Sequence, residues 1–62
     1  MPIIHVQILE GRSDSDIKAL IESLTKTTAE HLDVSKERVR VLVQEVPPSR
    51  WAAGGKPMSE RK

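Results

Sequence analysis

The 62-residue sequence contains no cysteine, no tyrosine and no phenylalanine, and it has a single tryptophan. The absence of cysteine excludes disulfides and most structural zinc sites as sources of stability. A chain of this length is near the lower limit at which one hydrophobic core holds a fold together. We therefore expect one domain, residues 1–62, that is stabilised by association with other chains.

The sequence also lacks a strong charge of one sign and a long apolar run. Ten Lys and Arg are offset by nine Asp and Glu, for a formal charge of +1, so no strong attraction for polyanions is indicated. The longest apolar runs are far shorter than the roughly 20 residues that cross a bilayer, and no signal-peptide pattern opens the chain. We expect a cytoplasmic protein that binds neither nucleic acid nor membrane.

Motifs of the common enzyme classes are missing as well. The two histidines do not have metal-ligand spacing, and neither a phosphate-binding glycine loop nor a Ser, His and Asp triad pattern is present. These absences predict a protein that works without a metal or a cofactor.

The residues that are present predict a strand, a long helix and a second strand. β-Branched residues predominate from Pro2 to Leu9 and alternate there with polar residues, as in a strand. Apolar residues then recur at helical spacing from about Asp14 to Leu32, and Ser13 followed by Asp16 is typical of a helix start. Alternation returns from Arg38 to Val46, where two prolines end the second strand.

These elements form one α+β domain, a βαβ unit with parallel strands and a right-handed crossover. One helix covers one face of a two-stranded sheet and leaves the other face open, which predicts assembly into an oligomer. The segment Ser49 to Met58 contains Gly54 and Gly55 and predicts a short C-terminal hairpin or a loop that reaches a neighbouring chain.

Pro2 is the first candidate for chemistry. Removal of the initiator Met1 would leave Pro2 with a secondary amine at the chain terminus. Such an amine has an ordinary pKa of about 7.7 to 8.0, which desolvation or nearby cations lower, so it can act as a base near neutral pH. The alternative is structural, because an edge strand tolerates proline at its first position.

Two arginines are candidates for ligand binding. Arg12 lies just past the end of the first strand, and Arg40 lies in the second strand on its incompletely covered face. A charge in such a place requires a partner or an anion, and the guanidinium group suits a carboxylate. The pattern indicates a carboxylate ligand.

The whole chain resembles the 4-oxalocrotonate tautomerase family. The resemblance rests on the opening MPII, on LEGRSD from Leu9 to Asp14, on VRVLVQEV from Val39 to Val46, and on RWAAGGK near the end. The LEGR segment together with the Met-Pro start is the specific part. The resemblance implies a βαβ subunit with a C-terminal hairpin, assembled as a homohexamer, a trimer of dimers, with active sites built from more than one chain.

By this resemblance, Pro2 matches the catalytic proline of the family, and Arg12 and Arg40 match its two arginines. Pro2 would move a proton within a small unsaturated 2-hydroxy or 2-oxo carboxylate, such as 2-hydroxymuconate. Arg40 would polarise the oxo-carboxylate end, and Arg12 would hold the distal carboxylate. Leu9 and Trp51 would line the pocket, with Trp51 where the best-known members have phenylalanine. Without the resemblance, a single tryptophan is more often a packing residue.

Two other functions stay open at this stage. Related enzymes use a protonated proline to hydrate or dehalogenate unsaturated acids, which a raised pKa of the Pro2 amine would favour and a lowered pKa would not. The chain is also compatible with a non-catalytic assembly or binding subunit whose arginines contact anions or partner chains.

Overall fold

The structure, a computed structural model, describes residues 1–60, so the last two residues of the expected domain, 61 and 62, lie outside the described residues. The main unit consists of β1 (Ile3–Leu9), α1 (Asp14–Leu32) and β2 (Arg40–Val46). A hairpin of β3 (Ala52–Ala53) and β4 (Lys56–Pro57) follows. β1 and β2 are parallel, whereas β3 and β4 are antiparallel. The predicted βαβ unit and C-terminal hairpin are confirmed.

Helix α1 begins and ends where its side chains favour it. The Ser13 Oγ accepts a hydrogen bond of 3.1 Å from the Asp16 N–H, as the sequence predicts. At the other end Asp33 adopts a left-handed conformation with φ 53°, and its N–H donates to the carbonyl of Ala29. Within residues 1–60, no helix combines the length and apolar character needed to cross a membrane.

The start of β2 differs from the prediction, which placed it at Arg38. Residues Lys36–Arg38 form a 3₁₀ turn instead, and the N–H of Val39 donates to the carbonyl of Lys36 over 3.1 Å. Val39 nevertheless has extended dihedral angles, φ −86° and ψ 131°, so its side chain continues the alternation of the strand. The alternation extends one residue beyond the hydrogen-bonded ladder, to Val39, which explains why the prediction began the strand too early.

The two faces of the β1–β2 sheet have different environments. The face toward α1 carries half-buried apolar side chains, namely Ile4, Val6, Ile8, Val41 and Val43. The opposite face, called the open face below, has no helix over it, and Ile3 and Leu42 on this face are 68% and 49% exposed. Both strands therefore have the predicted covered face and uncovered face.

The chain has little interior of its own. In residues 1–60 only Ala29 and Val39, each 8% exposed, form a buried core. The accessible surface is 4990 Å², compared with about 4,000 Å² for a monomeric protein of 6.9 kDa. The radius of gyration is 14.6 Å, against about 11 Å for a compact domain of this length. The excess surface is comparable with the roughly 800 Å² that one partner contributes to a standard interface, so these dimensions are typical of a subunit.

Candidate functional site

Pro2 and Arg40, two of the predicted site residues, are neighbours. The two strands are parallel, so their first residues lie at the same end of the sheet, called the first end below. The N–H of Arg40 donates to the carbonyl of Pro2 over 3.0 Å. This bond adjoins the first pair of the strand register, Ile3 with Arg40.

The Arg40 side chain is exposed at the first end and has no carboxylate partner in residues 1–60. Its Nη1 donates to the carbonyl oxygens of Glu37 and Val39, the second of these over 3.4 Å. A guanidinium has five N–H donors, and these contacts use only one nitrogen. The remaining donors are available for an anion.

The chemistry available to Pro2 depends on whether Met1 is retained or removed. In the structure Met1 precedes Pro2 and is 77% exposed, whereas Pro2 is half-buried. A Pro2 nitrogen that is bonded to Met1 is an amide and has no basicity. The exposed Met1 is accessible for removal by a peptidase, and the amine would then lie at the edge of a partly covered sheet.

Leu9, Arg12 and Trp51, the other three predicted residues, lie at the opposite end of the sheet, called the second end below. β1 has seven residues, and strands rise about 3.3 Å per residue, so the two ends are about 20 Å apart. A single chain therefore does not bring the five predicted residues together. A site that contains all five requires the first end of one chain to meet the second end of another.

Arg12 is held at the second end by a glycine turn. Glu10 still follows the ladder, because its N–H donates to the carbonyl of Val46 over 3.0 Å. Gly11 then has φ 124°, a conformation that L side chains rarely adopt. The exposed Arg12 side chain makes no hydrogen bond or ion pair in residues 1–60. It borders a cleft of about 220 Å³ together with Ile8, Asp16, Ile17 and Leu20.

Trp51 is half-buried and lines a different cleft, on the open face. The Trp51 cleft has a volume of about 400 Å³, and its other lining residues are Gln7, Gln44, Val46, Arg50 and Ala52. The Trp51 carbonyl accepts a hydrogen bond of 2.7 Å from the N–H of Met58, which joins the two sides of the terminal hairpin. Leu9 is half-buried and pairs with Val46 in the strand register, so it adjoins this cleft.

Arg50 is a residue of this region that the sequence reasoning missed. It precedes Trp51 at the end of the 3₁₀ turn Pro48–Arg50, and its only side-chain hydrogen bond in residues 1–60 is a 3.4 Å contact from Nη1 to the Oγ of Ser49. The one signal available was its position beside the single tryptophan. The second end thus carries two arginines without anionic partners in the described part of the chain. No group of three or more His, Asp or Glu in residues 1–60 is arranged to hold a metal ion.

Comparisons with known proteins agree on one family. A family model described as "Tautomerase enzyme" matches residues 2–61. The 2-hydroxymuconate tautomerase of Pseudomonas sp. strain CF600 is 42% identical over 60 residues, which are 97% of this chain and 95% of the relative.

Solved structures give the same result at the level of the fold. The heterohexamer 4-oxalocrotonate tautomerase from Chloroflexus aurantiacus J-10-fl superposes with a TM-score of 0.92 at 37% identity and complete coverage of both chains. TomN, a 4-oxalocrotonate tautomerase homologue in the tomaymycin biosynthetic pathway, has a TM-score of 0.92 and 48% identity over 97% of this chain and 92% of its own.

Proposed function

The chain belongs to the tautomerase family, and from this premise we propose that it interconverts the enol and keto forms of small unsaturated 2-hydroxy or 2-oxo carboxylates, with 2-hydroxymuconate as the leading candidate. The class of enzyme, an isomerase, follows from the relatives. The choice of substrate and the roles of individual residues are our proposal. The observation that carries it is the backbone hydrogen bond from Arg40 to Pro2 at the exposed first end of the sheet.

Pro2 would act as the base after removal of Met1. The neutral amine takes the hydroxyl proton at carbon 2 of 2-hydroxymuconate, and the oxygen electron pair forms the carbonyl. The π electrons shift along the conjugated chain, and the resulting ammonium returns the proton to carbon 3 or carbon 5. No other proton donor or acceptor is needed, because the amine returns the proton that it removes.

Arg40 would stabilise the charge that develops in this step. Its guanidinium has unused donors at the end of the sheet where Pro2 lies. It would bind the carboxylate and the oxygen at carbon 2, where negative charge increases in the transition state. A cation near the Pro2 amine would also lower the pKa of that amine and favour the neutral base.

The remaining three residues would come from a neighbouring chain. Because the two ends of one sheet are about 20 Å apart, Leu9, Arg12 and Trp51 of one chain would complete the site around Pro2 of another. Arg12 would bind the distal carboxylate, while Leu9 and Trp51 would exclude water.

Self-association is supported by the excess accessible surface and by the neighbours, which include a heterohexamer and an asymmetric trimer. For this chain we propose a homohexamer, a trimer of dimers.

The test is intact mass of the purified protein, followed by an ultraviolet assay of 2-hydroxymuconate ketonisation on the same sample. We expect loss of Met1, turnover, and a decrease in kcat of up to about 10²-fold in Pro2→Ala, because that variant replaces the rigid ring amine by a primary amine that is free to rotate. Equal sedimentation of both proteins is the control for assembly. Retained Met1 with full turnover would contradict the amine mechanism, whereas full activity in Pro2→Ala would show that a primary terminal amine serves equally well as the base.

A further inference from the structure

The cation that shares a cleft with Trp51 is Arg50. The Trp51 cleft and the cleft that Arg12 borders have no lining residue in common. A ligand lying against the indole ring within one subunit therefore meets the guanidinium of Arg50 first. Arg50 is therefore a candidate for ligand binding in its own right, in addition to Arg12.

The local backbone holds Arg50 in a defined position. Pro47 and Pro48 fix two successive φ angles before it, and the N–H of Arg50 donates to the carbonyl of Pro47 over 2.8 Å. The N–H of Trp51 donates to the carbonyl of Pro48 over 3.4 Å. The guanidinium and the indole are consequently carried by one short, constrained turn, which lowers the entropy lost when a ligand binds.

The other polar groups of the cleft are neutral amides. The Nε2 of Gln7 donates to the Oε1 of Gln44 over 3.0 Å across the two strands. This bond leaves the amide nitrogen of Gln44 as a further donor at the cleft wall. A guanidinium, an amide donor and a flat apolar ring together suit a conjugated carboxylate, because the carboxylate binds the donors while the planar carbon chain lies on the indole.

We propose that Arg50 binds the second carboxylate of a dicarboxylate substrate and so selects dicarboxylates over monocarboxylates. The identity of the substrate class rests on the proposed function, but binding at the Trp51 cleft does not require turnover. Arg50 would contact the distal carboxylate from the Trp51 cleft on the open face, while the reacting end lies toward Pro2 of another chain.

Trp51 makes the test direct, because it is the only aromatic side chain other than histidine and its fluorescence reports on this cleft alone. The probes are trans,trans-muconate and sorbate, which have the same six-carbon conjugated chain and differ by one carboxylate. Each is titrated into the assembled wild-type protein and into Arg50→Gln, Arg50→Lys and Lys18→Gln. Lys18 is the matched control, because it is an exposed cation that lines none of the clefts described.

We expect Arg50→Gln to weaken muconate binding by about tenfold and sorbate binding by less than about twofold, as for loss of one hydrogen-bonded charge at a partly exposed site. Arg50→Lys should give an intermediate loss, because lysine keeps the charge but not the planar fork. Lys18→Gln should match the wild type. If Arg50→Gln does not assemble, Arg50→Lys supplies the comparison.

Equal losses for muconate and sorbate, a muconate loss no larger than that of Lys18→Gln, or a wild type that binds neither probe would each overturn the inference. Failure of the proposed function has a different signature. A wild type that does not ketonise 2-hydroxymuconate but prefers muconate in an Arg50-dependent way would retain the inference and reject the reaction.

Discussion

Arg40 combines a structural role with a proposed chemical role, and the two reside in different atoms. Its N–H donates to the carbonyl of Pro2, whereas in residues 1–60 its guanidinium donates to an exposed carbonyl of Glu37 and, over 3.4 Å, to a partly buried carbonyl of Val39. Arg40→Gln keeps the backbone bond and removes the charge. We therefore expect kcat to decrease by about 10²-fold, as for loss of one transition-state donor, while the thermal midpoint stays nearly unchanged.

Arg38→Gln is the control for Arg40→Gln in the ketonisation assay, because Arg38 is an exposed arginine two residues away in the preceding turn. A surface charge predicts kcat and KM within about twofold of the wild type. A loss as large as that of Arg40→Gln would contradict the specific role of Arg40.

Among the elements, α1 offers a stability prediction with an internal control. Ser13 caps the helix through its Oγ, so Ser13→Ala should lower the free energy of unfolding by about 1 kcal/mol. Ser35 precedes the 3₁₀ turn Lys36–Arg38 but makes no such side-chain bond. Ser35→Ala should therefore change the free energy of unfolding by much less.

Thermal unfolding measures the stability of both serine variants. The chain concentration is kept fixed, because the stability of an oligomer depends on concentration. Equal losses in the two variants would show that the hydroxyl of Ser13 contributes nothing specific to the helix.

The elements also show how far the sequence can predict this structure. The bounds of α1 are predictable, because a serine cap and an unbroken apolar stripe mark them. The start of β2 is not, because the side chain of Val39 alternates as in a strand while its N–H bonds to the preceding turn. The hairpin is predictable from Gly54 and Gly55, which have φ 61° and 80°.

The candidate site is predictable as a set of residues but not as an arrangement. The parallel register separates Pro2 from Arg12 by the length of a strand, and only the assembled topology makes this evident. Arg50 was not predicted, because its position depends on a 3₁₀ turn whose sequence has no periodic pattern. Residue types and regular elements are thus accessible from sequence, whereas contacts between irregular segments are not.

At the scale of the whole molecule, the large accessible surface and the separation of the site residues at two ends of the sheet both fit a chain that works as a subunit. Among residues 1–60 the buried core consists of Ala29 and Val39, and the exposed Ile3 and Leu42 lie on the open face. Covering that face with other copies would bury apolar area that one chain cannot bury alone, at roughly 25 cal/mol per Å². The same contacts would bring the first end of one chain to the second end of another, so folding and site formation would depend on one assembly step.

Complementation between two impaired variants tests this dependence. Pro2→Ala alters the first end of the sheet, and Arg12→Gln alters the second end. When the two proteins are unfolded together and refolded as mixed oligomers, random pairing should make about a quarter of the sites fully wild type. The ketonisation rate should then rise to about a quarter of the wild-type rate, because each intact site takes Pro2 from one chain and Arg12 from the other.

The control is the same two proteins combined without unfolding, which should show only the average of their residual rates. Sedimentation of both samples checks that the oligomers have equal size. A mixed sample that gains no activity over this control would mean that Pro2 and Arg12 act within one chain. The strand between Pro2 and Arg12 spans about 20 Å. Such a result would therefore contradict the proposed six-carbon substrate, which is too short to reach both residues of one chain.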